Sequence, residues 1–519
     1  MTLLTAYNTY ADALTHFTPE KLWDLFDGDR DRLNIAHECI DRHAVDPQRP
    51  AVVIARLGAP DEVLTYREIA RDSSRFANWL VKRGIDQGDR VAIMLEPNRA
   101  FYATLFGAIK AGAVAVPLFT LFGPDGVKLR VGDCKPKLIV TNSEKLDAVA
   151  TVQDVEVVIA DDVFFGDLAG YSDEFTPSTN SRDMAIYQYT SGTTRELPEA
   201  VKHTHRSLVT LMVAALYGTG LRPGDKFFCP SSPAWGHGLW HGTLAPMALG
   251  LTIGAFAGRF NAEALLDALA RHSFTNMSAA ATHYRMMKVV AGHESRDYAI
   301  KKLSFTGEPM DQSTEEFVRQ TFKTPACSMY GTTEIGVILV SYPGAPDFEV
   351  RPGSLGKPIP GAQVRVVDAH DNPCPADVTG EIKVFRSGKW IATKDLGRID
   401  ASGYFYHGGR ADDVIISAGW TMSAVEIENA ILKHHDVREA AAIGVPDSQR
   451  GQVVRAYVVS DRPGTEAFID EIQQLVRSGL SQHEYPRQVE FIGELPKTPA
   501  GKIHRKRLRE AALIQSSQV

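Results

Sequence analysis

Between Tyr189 and His205 the chain reads Y-T-S-G-T-T-R-E-L-P-E-A-V-K-H-T-H, with the hydroxyls of Thr190, Ser191, Thr193 and Thr194 gathered around Gly192. Such a segment offers backbone N–H groups and small hydroxyl donors to an anion, and the glycine lets the backbone approach closely. Phosphate is the natural ligand for that chemistry. The spacing is not G-x-x-x-x-G-K-[ST], so a P-loop nucleoside triphosphatase is excluded. A second concentration lies at residues 230–242, P-S-S-P-A-W-G-H-G-L-W-H-G, with two tryptophans, two histidines and three glycines. Glycines there let backbone line a cavity and aromatics wall it. His237 and His241 are tempting bases, but a packed or solvent-facing histidine is the stronger reading of each.

The elements that must position these residues follow from periodicity. Residues 184–189 alternate as a strand and 207–217 form an amphipathic helix, so the hydroxyl-rich segment joins the two. Upstream, Thr65 is placed to cap a helix, 86–89 is a turn, 90–95 a buried strand, 99–111 a helix and 112–117 a further strand. Downstream come a helix at 261–272, a strand at 276–280 and a helix from His283. Residues 362–367 and 380–385 are expected as strands of a smaller β subdomain. Strand–helix alternation at this spacing predicts an α/β fold with parallel strands.

The chain has 519 residues, too many for one ordinary core, so at least two domains are expected. A net charge of −7 speaks against a nucleic-acid partner. Five cysteines without a C-x-x-C pair suggest reduced thiols, with no disulfide frame or zinc site. Neither a basic leader nor a long apolar run is present, so a cytoplasmic protein with no membrane-spanning segment is expected. A homodimer is left open.

Five motifs in order give a family resemblance. Residues 189–201 resemble the phosphate loop of the adenylate-forming enzymes: acyl- and aryl-CoA synthetases, peptide-synthetase adenylation domains and luciferases. Then follow Y-G-T-T-E at 330–334, K-D-L-G-R-I-D at 394–400, G-R-A-D-D-V-I-I-S-A-G at 409–419 and P-K-T-P-A-G-K-I at 496–503. The resemblance runs from about Leu33 to Arg509 and is nearest to medium-chain acyl-CoA synthetases.

It implies a large N-terminal α/β domain with a small β subdomain (1–408) and a mobile α+β lid (409–519) hinged near Asp412. It implies an ATP-dependent acid–CoA ligase that forms acyl-AMP and pyrophosphate from a small or medium carboxylic acid, then a CoA thioester. The alternative is a stand-alone adenylation enzyme loading a carrier-protein thiol; a nucleotide-binding protein without catalysis is a third reading. ATP, magnesium and coenzyme A are the implied cofactors.

By the same resemblance, Thr190–Thr194 would hold phosphates, with Gly192 in the loop. Gly307, Glu308 and Pro309 would lie beside adenine, and Tyr330, Gly331, Thr332 and Thr333 along the nucleotide. Glu334 would bind magnesium, Asp395 the ribose hydroxyls, and Arg410 the ribose and phosphate side. Lys502 would bridge the carboxylate and the α-phosphate. Trp235, Gly236, His237, Thr306 and Gly331 would border the acyl group, and Ser417, Ala418, Gly419 and Trp420 the pantetheine path. Three departures stand out: Arg195-Glu196 for a single glycine with Glu199 where lysine is usual, Lys394 for glycine, and Thr421 and Ala424 for the usual arginine and proline.

Overall fold

The computed structural model describes residues 2–189, 199–332, 335–410, 415–417, 420–447, 451–480, 485–498 and 503–516. The chain divides into two compact units, residues 1–352 with 358–361, and residues 353–357 with 362–519. The boundary expected at 408/409 falls inside strand Phe405–Arg410 of the second unit.

In the first unit a six-stranded sheet runs, in spatial order, Glu156–Ile159, Leu138–Thr141, Arg90–Met94, Val114–Pro117, Met184–Gln188 and Val201–Thr204. Its strands are parallel except the last, which returns antiparallel to Met184–Gln188. That last strand was expected to be loop; its polar V-K-H-T composition hides it, and backbone pairing with its neighbour decides it. Helix Tyr66–Lys82 begins with a capping box in which Thr65 and Glu68 satisfy each other's backbone N–H groups.

A larger sheet contributes eight strands to this unit. It contains the parallel run Ala326–Thr332, Lys302–Thr306, Asn276–Ala280, Lys226–Phe228, Thr252–Ala257 and Pro50–Arg56. Val53, Phe228, Met277, Leu303 and Phe305 are buried from one of its faces against helices Ala262–Arg271, Ala281–Lys288 and Gln312–Phe322. Because side chains alternate along a strand, Ser278, Ser304 and Cys327, in register across three strands, lie on the opposite face.

The second unit starts with an antiparallel meander that includes Val364–Val367, Gly380–Arg386, Lys389–Ile399 and Phe405–Arg410. It continues into a three-stranded sheet, Val437–Asp447, Gly451–Ser460 and Gln488–Phe491. Helices Ala424–Ile431 and Glu466–Gly479 bury Ile427, Ile431, Phe468 and Ile472 on that sheet. The fold is therefore α/β with a large sheet-and-helix N-terminal unit and a smaller C-terminal one, as expected. No helix among the described residues is long and apolar enough to cross a membrane.

Candidate active site

Ligands of parallel α/β sheets bind beyond the carboxyl ends of the strands. In the first unit those ends carry Ala280, Thr306 and Thr332. Gly307 follows Thr306 at φ +93°, a conformation that glycine adopts without strain. The Glu308 carboxylate next to it accepts from Arg285 at 2.5 Å and from the Thr282 hydroxyl. Tyr330, Gly331 and Thr332 end their strand in a hairpin with Gly336–Val340. A Cβ on Gly331 would lie 2.1 Å from the Gly336 carbonyl oxygen, so the close pairing demands glycine.

The tryptophan- and histidine-rich segment, for which the sequence suggested a cavity wall and no secondary structure, is π-helical over His237–Leu244. π-Helical turns are rare and frequent at functional sites. Its glycines answer to close packing. A Cβ on Gly238 would lie 2.2 Å from the carbonyl oxygen of Ser232 and 2.3 Å from that of Ser231; on Gly242 it would meet Cys229 Sγ at 2.9 Å. Backbone oxygens cannot swing aside, so Gly238→Ala is expected to lower stability by about 2 kcal/mol or more. Urea denaturation measures this; an unchanged midpoint would contradict the packing argument.

Both ring nitrogens of His237 are engaged. Nδ1 lies 2.9 Å from Ser231 Oγ and Nε2 2.9 Å from Ser278 Oγ. Burial, with His241 and His283 adding repulsion, pushes its pKa down to about 3. A neutral imidazole with both nitrogens bonded is a structural tie between the π-helix and the sheet, and a poor general base. Trp235 packs its ring edge-on against Phe119, centroids 5.6 Å apart. Trp240 Nε1 donates to Gln188 Oε1 at 3.0 Å, tying the same π-helix to the last residue of strand Met184–Gln188. The π-helix thus joins the strand leading to the hydroxyl-rich segment with the sheet that carries Thr306–Pro309 and Tyr330–Thr332. Gln188, Ser231 and Ser278 escaped the sequence reading, because nothing in their local pattern separates them from core positions.

In the second unit Asp395 is buried, 5 % exposed, with His407 Nε2 3.8 Å from its Oδ1. Strand register places Asp395 opposite Arg410. The preceding Lys394 stands at φ +63°, the left-handed region. A glycine there would be unstrained, whereas a side chain costs ~1 kcal/mol; this is the physical content of that departure. Lys502 belongs to a segment whose flanks are fixed. Lys497 and Ile503 form a β-bridge, His504 N–H donates to the Pro496 carbonyl at 2.8 Å, and Arg505 pairs with buried Glu428 at 2.6 Å. Ser417 and Trp420 pair across the short hairpin of Ile415–Ser417 and Trp420–Met422. Thr190, Ser191, Gly192, Thr193, Thr194, Arg195, Glu196, Thr333, Glu334, Asp412, Ala418, Gly419 and Lys502 lie outside the described residues.

Comparison with known proteins decides the family. The AMP-binding enzyme model matches residues 40–391, and the AMP-binding enzyme C-terminal domain model matches residues 426–502. The chain belongs to the AMP-binding enzyme family. It is 30% identical to an acetyl-coenzyme A synthetase of Bacillus subtilis, over 92% of this chain and 90% of that one. It is 29% identical to the human mitochondrial acyl-coenzyme A synthetase ACSM3, over 89% and 86% of the two chains. A crystal structure of a Brucella canis acyl-CoA synthetase superposes with a TM-score of 0.76 at 30% identity, covering 98% of this chain and all of that one. The expected membership of the adenylate-forming enzymes holds, and with it the enzyme class, an AMP-forming acyl-CoA synthetase.

Proposed function

We propose that this protein activates a small or medium carboxylic acid with ATP at the carboxyl ends of the first unit's parallel strands, then transfers the acyl group to coenzyme A. The observation that carries the reading is the π-helix of His237–Leu244. It ties the strand entering the hydroxyl-rich segment to the sheet bearing Thr306–Pro309 and Tyr330–Thr332. In this reading triphosphate and carboxylate take neighbouring seats on the two elements so tied.

The substrate acid is already ionised near neutral pH, so no base is needed to attack the α-phosphate. What the protein must supply is positive charge and hydrogen-bond donors where anions crowd together. In this reading Thr190, Ser191, Gly192, Thr193 and Thr194 hold phosphate oxygens and Thr333 contacts the α-phosphate. Glu334 with phosphate oxygens would hold a magnesium ion, a hard cation suited to oxygen ligands, which supplies charge neutralisation. Asp395 accepts from both ribose hydroxyls, Arg410 lies on the ribose and phosphate side, and Lys502 donates to the carboxylate and the α-phosphate. Trp235, Gly236, His237, Thr306 and Gly331 border the acyl group. Residues 417–420 serve the thiol arm in the second half-reaction.

A division near Asp412 is supported by the two family matches, which leave residues 392–425 between them. A cytoplasmic location is part of the proposal, in keeping with cysteines that are all unpaired.

The deciding experiment scores pyrophosphate release from ATP across linear, branched, alicyclic and aromatic acids. A competition between coenzyme A and a carrier-protein thiol follows for the best acid. Release that depends on the acid, with thioester formed on coenzyme A, supports the reading. Binding of ATP without acid-dependent release sinks it, and preference for the carrier thiol turns it into a stand-alone adenylation enzyme.

A further inference from the structure

Asp133 lies in the last turn of helix Pro124–Cys134. A carboxylate is poorly placed there, because the helix dipole presents its negative end at that terminus. It also lies beside a segment read above as binding phosphates, where like charge is repelled. Its bonds give it a use. Oδ2 accepts from the Tyr189 hydroxyl at 2.7 Å and from the Ala200 N–H at 3.2 Å. One oxygen thus holds both ends of residues 190–199. The Tyr189 hydroxyl also lies 2.9 Å from the Arg130 carbonyl, so its single proton is shared between two acceptors one helical turn apart.

Tyr189 is 6 % exposed, and burial first, with Cys134 and Asp133 adding to it, holds its phenol well above the usual range. It remains a donor at any working pH. The Arg130 guanidinium lies 5.6 Å from the centre of the Tyr189 ring. Asp133 itself is exposed, so its charge stays solvated and carries no burial penalty.

We propose that Asp133 is a positioning residue for ATP: it fixes the separation of Tyr189 and Ala200, the residues that flank the segment given the phosphate role. The proposal rests on the phosphate role given to residues 190–194. Holding both ends removes ordering entropy that the nucleotide would otherwise have to supply on binding.

The test uses the full chain and acid-dependent ATP–pyrophosphate exchange. Exchange in the wild type is measured first; its absence would overturn the phosphate role and this proposal together. With exchange present, Asp133→Ala is expected to raise the KM for ATP about tenfold, the size of one lost bond to a charged acceptor. The KM for the acid and the melting temperature should stay close to wild type. Asp133→Asn, which keeps an amide oxygen as acceptor, should recover most of the loss. Tyr189→Phe should raise the KM for ATP less than Asp133→Ala does, and adding it to Asp133→Ala should have little further effect, because the two share one bond. An unchanged KM for ATP in Asp133→Ala overturns the clamp while leaving the phosphate role standing. So does a parallel rise in both KM values with a lowered melting temperature, the mark of a general structural role.

Discussion

Lys502→Ala is expected to slow acyl-adenylate formation by about two to three orders of magnitude while changing thioester formation from supplied acyl-AMP only a few-fold. The magnitude is that of removing one preorganised donor from a site where charge develops. The selectivity follows from the proposed role of Lys502, a bridge between the carboxylate and the α-phosphate of ATP, which thioester formation from ready-made acyl-AMP does not need. The variant should fold, because the described contacts that hold the flanks of the segment are made by other residues. Lys497 Nζ donates to Glu439 at 2.9 Å, and the Glu428 carboxylate accepts from Arg505 and, at 2.8 Å, from the Ala442 N–H. None of these contacts involves the lysine that is removed. Single-turnover measurements of each half-reaction decide the matter, and equal loss in both would sink the assignment.

Most of the scaffold was legible because local signals and tertiary demand agree. The 207–217 helix and the 276–280 strand have the bounds that periodicity predicts. The 99–111 helix is one residue shorter, and Thr65 caps as its chemistry suggests. The misses have physical causes. Strand Val201–Thr204 has a polar face and exists through backbone pairing with Met184–Gln188, which no local pattern records. The π-helix of His237–Leu244 was hidden by glycines that are poor helix formers and read as backbone lining a cavity; packing against Ser231, Ser232 and Cys229 requires two of them.

Motif order carries the proposed site, since phosphate, ribose and carboxylate chemistry would each constrain a few residues in series. What supports those residues was not readable. His237 could be weighed as a base from sequence, but only the two serine oxygens on either side of its ring reveal a structural tie. Asp133 is invisible for the same reason: its meaning is a meeting of residues 56 and 67 positions apart.

The first unit is also expected to unfold cooperatively in mild acid, between about pH 6.5 and about 4.5. Burial, the largest cause in each case, lowers His43, His203, His205, His241 and His283 from 6.5 to about 4 and His237 to about 3. A folded-state value below the unfolded one means that the unfolded chain takes up protons the native state refuses. Stability is then complete above pH 6.5 and declines as pH falls toward the folded values. Each histidine costs up to ~1.4 kcal/mol per pH unit over that window, somewhat less where the ring is partly exposed. Six together exceed a typical domain stability of about 5–15 kcal/mol within roughly two pH units. His205 shows the local reason: its Nδ1 accepts from the Ile35 N–H at 3.1 Å, and a proton there would set donor against donor. Tryptophan fluorescence and circular dichroism against pH measure the transition, with the slope giving the number of protons taken up. His203→Phe keeps a ring against Trp240, now 4.6 Å away between centroids, but removes one titrating group. It should move the midpoint to lower pH and reduce the uptake by about one proton. A native baseline that persists to pH 4 would show that the buried histidines accept protons without leaving their sites.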